Sequence, residues 1–253
     1  MPGDAVSEAR GVNNLGQIVG HSNPGSLPID HGFLHTGEAG LTQLNAISSS
    51  FVADDVNDSG VAVGTDSSNA QRVDIVTGAA QPLGGVAPYE SSRAFGVNAQ
   101  GEVAGALSTA GGSCQVIARY ADPAGWQILG GLGETNIGHG INSAGTVVGE
   151  GRARTGSLPS KRAVIFLNGV GALLYIDDLL EPDSEWSIYS AYDINDAGQI
   201  AGYAINTKTG LHAAVRLSPA APLADVAAPA TPQRIPSGAR APTTRRPPAW
   251  PVP

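Results

Sequence analysis

Residues 9–20 read ARGVNNLGQIVG, and residues 191–202 read AYDINDAGQIAG. The same frame returns as ADDVNDSGVAVG (53–64), AFGVNAQGEVAG (94–105) and GHGINSAGTVVG (138–149). All five align without gaps on [AG]-x-[GD]-[VI]-N-x-x-G-x-[VIA]-[VA]-G. The asparagines are Asn13, Asn57, Asn98, Asn142 and Asn195, at steps of 44, 41, 44 and 53 residues. Three residues after each comes Gly16, Gly60, Gly101, Gly145 or Gly198. An Asn side chain can bond its own backbone two residues on, and Gly accepts the positive φ needed to re-enter a strand. Each N-x-x-G therefore predicts a tight turn between two short strands. The glycine that ends each motif predicts a crowded backbone or a bulge.

Between these hairpins runs a looser pattern of strand, Gly turn and strand. It is HGFLHTGEAGLTQL (31–44), QRVDIVTGAAQPLG (71–84), CQVIARYADPAGWQILG (114–130) and KRAVIFLNGVGALLYIDDL (161–179). LHAAVRL (211–217) supplies only the first half. A full repeat is thus four short strands, and repeats of this period and content are propeller blades. The fold expected is all-β, a β-propeller of about five four-stranded blades, with its ring closure open. The repeats fall near 9–52, 53–93, 94–137, 138–190 and 191–217, within one domain at 1–217. The long step of the fourth repeat predicts a surface loop over 177–190. The missing last strand would come from APLADV (221–226) or from DAVS (4–7).

The composition narrows the function classes. Charged residues are 14% and the formal net charge is -8. Nucleic-acid binding needs Lys and Arg to neutralise phosphates, so it is excluded. No apolar run approaches the ~18 residues of a membrane span. Cys114 is the single cysteine, so an intrachain disulfide or a Cys-based zinc site is not available. Residues 218–253 hold ten of the eighteen prolines, with Arg234, Arg240, Arg245 and Arg246 against Asp225. That segment predicts polyproline II or disorder.

The hairpin from Gly11 to Gly20, followed by His31-Gly32-Phe33-Leu34-His35, resembles the bacterial HAF family of extracellular repeats. His212-Ala213-Ala214-Val215 is a second counterpart, and the resemblance covers about 9–217. It implies an exported protein and brings no catalytic residues with it. The start MPGDAVSEAR has no signal-peptide pattern. It resembles the connection that precedes the first hairpin in such repeats, which implies that the native start lies upstream.

Candidate chemistry is sparse. GHSNPG (20–25) lacks the final glycine of a nucleophile elbow, so Ser22 is set aside. DVNDSG (55–60) and DINDAG (193–198) place oxygen ligands at alternate positions, as calcium loops do. Asp55, Asn57, Asp193 and Asn195 are the alternative metal ligands; a turn explains the same residues, and no metal is expected. His31 and His212 share one repeat position, where a role at a strand start is expected. Asp55 and Asp193 also share a repeat position. Innermost strands line a propeller's channel, so two carboxylates could face each other there, as a glycosidase requires. Trp126, Trp186 and Tyr192 are the candidates for stacking on a sugar. No cofactor is expected. The leading functional expectation is a non-enzymatic extracellular binding or scaffold module whose unknown ligand is a carbohydrate or a protein. The alternatives are a carbohydrate-active hydrolase and a structural cell-surface or adhesive repeat.

Overall fold

A computed structural model of the chain describes residues 4–25, 30–37, 40–44, 50–67, 69–112, 115–152 and 161–220. The chain is a five-bladed β-propeller, with no α-helix among these residues. Blade one is β1 (Val6–Val12), β2 (Ile18–Asn23), β3 (His31–His35) and β4 (Leu41–Gln43). Blade two is β5 (Phe51–Val56), β6 (Val61–Asp66), β7 (Asn69–Asp74) and β8 (Ala80–Pro82). Blade three is β9 (Ser91–Val97), β10 (Val103–Ser108), β11 (Gln115–Ala121) and β12 (Gly125–Gly130). Blade four is β13 (Thr135–Ile141), β14 (Val147–Arg152), β15 (Lys161–Leu167) and β16 (Ala172–Tyr175). Blade five is β17 (Trp186–Ile194), β18 (Ile200–Asn206) and β19 (His212–Leu217). Every sheet is an antiparallel meander in chain order.

The second strands explain the run of small apolar residues at the end of each motif. β10 and β14 are buried at five of their six positions. Neighbouring sheets cover both of their faces, so the buried positions are small or apolar except for Glu150. Four cores result. Val19, Leu34, Phe51 and Val73 join blades one and two. Val63, Leu83, Val97 and Val103 join two and three; Ile117, Ile141, Val164 and Phe166 join three and four. Ile165, Ile176, Ile188, Ile200 and Leu217 belong to the core of four and five. Among the described residues no such core joins blade five to blade one.

Each first strand carries a β-bulge at one repeat position. Ala9 pairs with Gly20 and Gly11 with Val19, so Arg10 is left without a partner. The skipped residue in the other blades is Asp54, Phe95, His139 and Tyr192. The bulge tips a carbonyl toward the closing glycine. A Cβ on Gly149 would stand 1.9 Å from the Ile137 carbonyl oxygen, and one on Gly64 1.9 Å from that of Val52. On Gly202 the same approach is 2.6 Å.

Two expectations are corrected. Residues 177–190 form a surface turn only over 181–185. Ile176–Leu179 form a 3₁₀ turn, and Ile176, Leu179 and Leu180 are buried in the core between blades four and five. Their spacing puts three apolar side chains on one side of a single turn. From Trp186 onward the segment is β17. Nor do residues 4–7 complete blade five: Ala5 N–H bonds the Asn23 carbonyl, which extends blade one. APLADV, the rest of the tail from residue 221 and Cys114 lie outside the described residues.

Replacing Gly149 by Ala should lower the unfolding free energy by about 1–3 kcal/mol, because the neighbouring backbone must shift. Gly202→Ala should cost less, since its carbonyl neighbour stands further off. Urea unfolding of the two variants checks the order.

Candidate functional site

The five N-x-x-G turns gather at one end of the central channel. In each, Gly N–H bonds the Asn carbonyl, as Gly16 does to Asn13 at 3.0 Å. The glycine φ values lie between 74° and 79°, a region that an L side chain adopts only at a cost. The Asn side chain completes the turn. Asn13 Oδ1 accepts from Leu15 N–H and Gln17 N–H, and Asn98 and Asn142 repeat this pair of bonds.

The amide end of the same side chain reaches the next blade. Asn13 Nδ2 donates to the Asn57 carbonyl at 3.0 Å, Asn57 to Asn98 at 2.9 Å, Asn98 to Asn142 at 3.0 Å and Asn142 to Asn195 at 3.3 Å. Nothing in the local sequence signals this ladder. Further braces run in the same direction. Asp58 accepts from the Asn14 N–H and side chain, and Asp196 accepts from the Ser143 N–H and hydroxyl. Arg72 and Arg119 donate to the carbonyls of Gly101 and Gly145 in the following blade.

These turns enclose a funnel of about 290 Å³, with walls drawn from all five blades. Asp55 and Asp193 both line it, as do Asn57 and Asn195. Asp55 is heavily committed: Oδ1 accepts from Val56 N–H at 2.8 Å and Oδ2 from Val97 N–H at 2.9 Å. Burial pushes its carboxyl up to about 6 against the pull of those two donors, and the Asp193 charge adds to the rise. Asp193 accepts from Ile194 N–H and is also raised by burial. The two loops that resemble calcium sites therefore direct much of their oxygen at backbone donors. Among the described residues no group of three or more His, Cys, Asp or Glu is placed to hold a metal ion.

The bulged side chains converge on the same axis. Arg10 Nη1 meets Asp54 Oδ1 at 2.9 Å. Phe95 packs edge-on against the His139 ring at 5.6 Å, and His139 lies 5.8 Å from the Tyr192 ring. Burial pushes Asp54 up to about 6, opposed chiefly by Arg10 and slightly by His139 two blades away. His139 Nε2 stands 3.6 Å from Glu150. Burial would raise Glu150, but the nearby His139 ring, the Lys161 ammonium and the Ser190 hydroxyl prevail and hold it at about 2. The sequence did carry a signal for the bulged site. In an otherwise near-fixed motif, the second position is Arg, Asp, Phe, His and Tyr in turn.

The remaining candidates lie apart from this site. Trp126 donates to the carbonyls of Leu83 and Gly84, and Trp186 packs on the core of blades four and five, so Tyr192 alone of the three aromatics reaches the axis. Ser22 is fully buried and donates to Asp4 at 2.6 Å. His31 and His212 each open a third strand, and His31 bonds Asp4 at 3.0 Å. No helix among the described residues is long and apolar enough to cross a membrane. No protein-family model matches the chain, and no curated protein matches it.

Because folding raises the Asp54 pKa, the folded state holds its proton more tightly than the unfolded state does. Its contribution to stability is full below pH ~4 and is lost as pH rises through about 6. Asp54→Asn should therefore melt higher than wild type at pH 7.5, by about 1–2 kcal/mol, and show a flatter profile between pH 4 and 6. Arg10 loses its partner but has 36% side-chain exposure, so water can solvate it. Melting curves across that range test this; an unchanged slope would contradict the assignment.

Proposed function

We propose that the chain is a non-enzymatic binding module whose ligand sits in the axial funnel. One observation carries the reading: the repeat is near-invariant where it builds the blades and varies where the bulge turns a side chain to the axis. Five different residue types stand there: Arg10 pairs with Asp54, and Phe95, His139 and Tyr192 form a chain of ring contacts beside the funnel that the turns of all five blades wall. A structural requirement repeated five times would favour one residue type. The mixture of cation, carboxylate and aromatic rings suits a polar ligand with an apolar face, as in an oligosaccharide or a peptide side chain. The resemblance to the HAF repeats supports placing this module outside a bacterial cell.

A carbohydrate-active hydrolase remains the alternative on one ground, that Asp55 and Asp193 share the funnel with raised carboxyls. Against it, both Asp55 oxygens accept backbone N–H groups, which makes that residue a brace between blades two and three.

Ala99 is exposed and lines the funnel, so Ala99→Trp fills it without touching a core. Thermal melts against panels of oligosaccharides and short peptides should show a saturable rise with one class. The rise should vanish in Ala99→Trp. If no class binds, or if binding survives the substitution, the funnel is not the seat. Hydrolysis of a bound oligosaccharide that Asp193→Asn abolishes would favour the alternative.

A further inference from the structure

A second polar cleft lies at the other end of the blades from the axial funnel. The turn of Asn98 and Gly101 joins the end of β9 to the start of β10. Ser91 opens β9, Ser108 ends β10 and Gln115 opens β11, so these three mark the opposite end of blade three. Ser91 pairs with Ser108, and Ser108 with Gln115. Cross-strand partners share a face, so the three polar side chains stand in one row. Arg93, two residues on from Ser91, shares that face. With Gly112, and with Ser67 at the end of β6 in blade two, they line a cleft of about 320 Å³.

The fold makes little use of these side chains. Elsewhere Arg10, Arg72, Lys161, Arg162 and Lys208 each meet a carboxylate. No acidic residue lines the cleft, and among the described residues the Arg93 guanidinium has neither an ion pair nor a hydrogen bond. The side chains of Ser67, Ser108 and Gln115 likewise make no bond among those residues. Ser91 Oγ makes only a long one, 3.4 Å, to the Ser108 carbonyl. Ser67 has a φ of 23°, the one positive φ outside glycine among the described residues. Backbone strain of that kind clusters where a ligand is held.

We propose that this cleft binds an acidic sugar, a hydroxyl-bearing ring with one carboxylate. The side chains set the class. A single guanidinium offsets one negative charge and grips a carboxylate with two parallel N–H bonds. A phosphate monoester carries close to two charges at neutral pH and needs a second cation. Three serine hydroxyls both donate and accept, as does the Gln115 amide, and a ring of hydroxyls needs both. The volume suits a small molecule rather than a bare ion. The site is independent of the axial funnel, whose walls come from the opposite strand ends.

Titration of the isotope-labelled full chain with glucuronate, glucose and inorganic phosphate, followed by amide chemical shifts, tests the proposal. Glucuronate should give saturable shifts at Ser67, Ser91, Arg93, Ser108 and Gln115. Glucose and phosphate should each bind at least about tenfold more weakly. Arg93→Gln should weaken glucuronate binding at least about tenfold, the loss expected for a charge-assisted pair of hydrogen bonds. Its melting point without ligand should match the wild type, since Arg93 is exposed. Ala99→Trp, which fills the funnel, should leave glucuronate binding intact, so the two sites fail or hold separately. The proposal is overturned by the absence of a saturable shift with glucuronate, by equal binding of glucose or phosphate, or by undiminished binding in Arg93→Gln. Loss of binding in Ala99→Trp overturns it too.

Discussion

One side-chain amide holds this fold together twice over. The oxygen of each motif asparagine closes its own turn, and the nitrogen of the first four donates to the next blade. No other residue type does both. Asp has the acceptor and lacks the donor; Gln carries both one methylene further out; Ser has no separate donor and acceptor arms. A buried amide left half-satisfied costs about 1–3 kcal/mol, and Asn57, Asn98 and Asn142 are buried. The asparagine therefore cannot drift, and the turn around it recurs with almost no change.

The bulge is the second constraint, and it separates structure from chemistry. Skipping one residue in the first strand crowds a carbonyl against the second strand, so the closing position must be glycine. The skipped residue itself pairs with nothing and packs in no blade core. Its side chain is released toward the axis, where the five blades can each supply a different group. The residues that fix the geometry are the repeated ones, and those that can confer specificity occupy the position the repeat leaves open.

That separation also explains what the sequence could and could not show. Turns, strand number and blade period depend on residues close in the chain, so ARGVNNLGQIVG and its four relatives reveal them. The bulge depends on register, which a gapless alignment does not display. The asparagine bonds between blades join residues 41 to 53 positions apart and the arginine bonds residues 26 and 29 apart, so Arg72 reads as an ordinary strand residue and Asp58 as part of a calcium-like loop. Alternating oxygens before a glycine suit a cation and suit a neighbouring backbone equally well. Burial and bonding partners distinguish them, and neither is local. The channel position was legible as the variable one, though its direction was not.

The asparagine bonds all run from one blade to the next, which gives the ladder two unlike ends. In a repeat array, stability comes from each unit and from its interfaces with neighbours, so a terminal unit with one interface is the weakest. Among the described residues blade five has one apolar interface and three strands. Its single interface is correspondingly built up. The long step between Asn142 and Asn195 brings in the turn at Ile176–Leu179, which adds Ile176, Leu179 and Leu180 to the core against Ile188 and Leu217. Asp177 then fixes the turn to the first strand of blade five by accepting from Ser187 Oγ and Ile188 N–H. The residues that lengthen the fourth repeat thus thicken the one apolar contact on which the last blade depends.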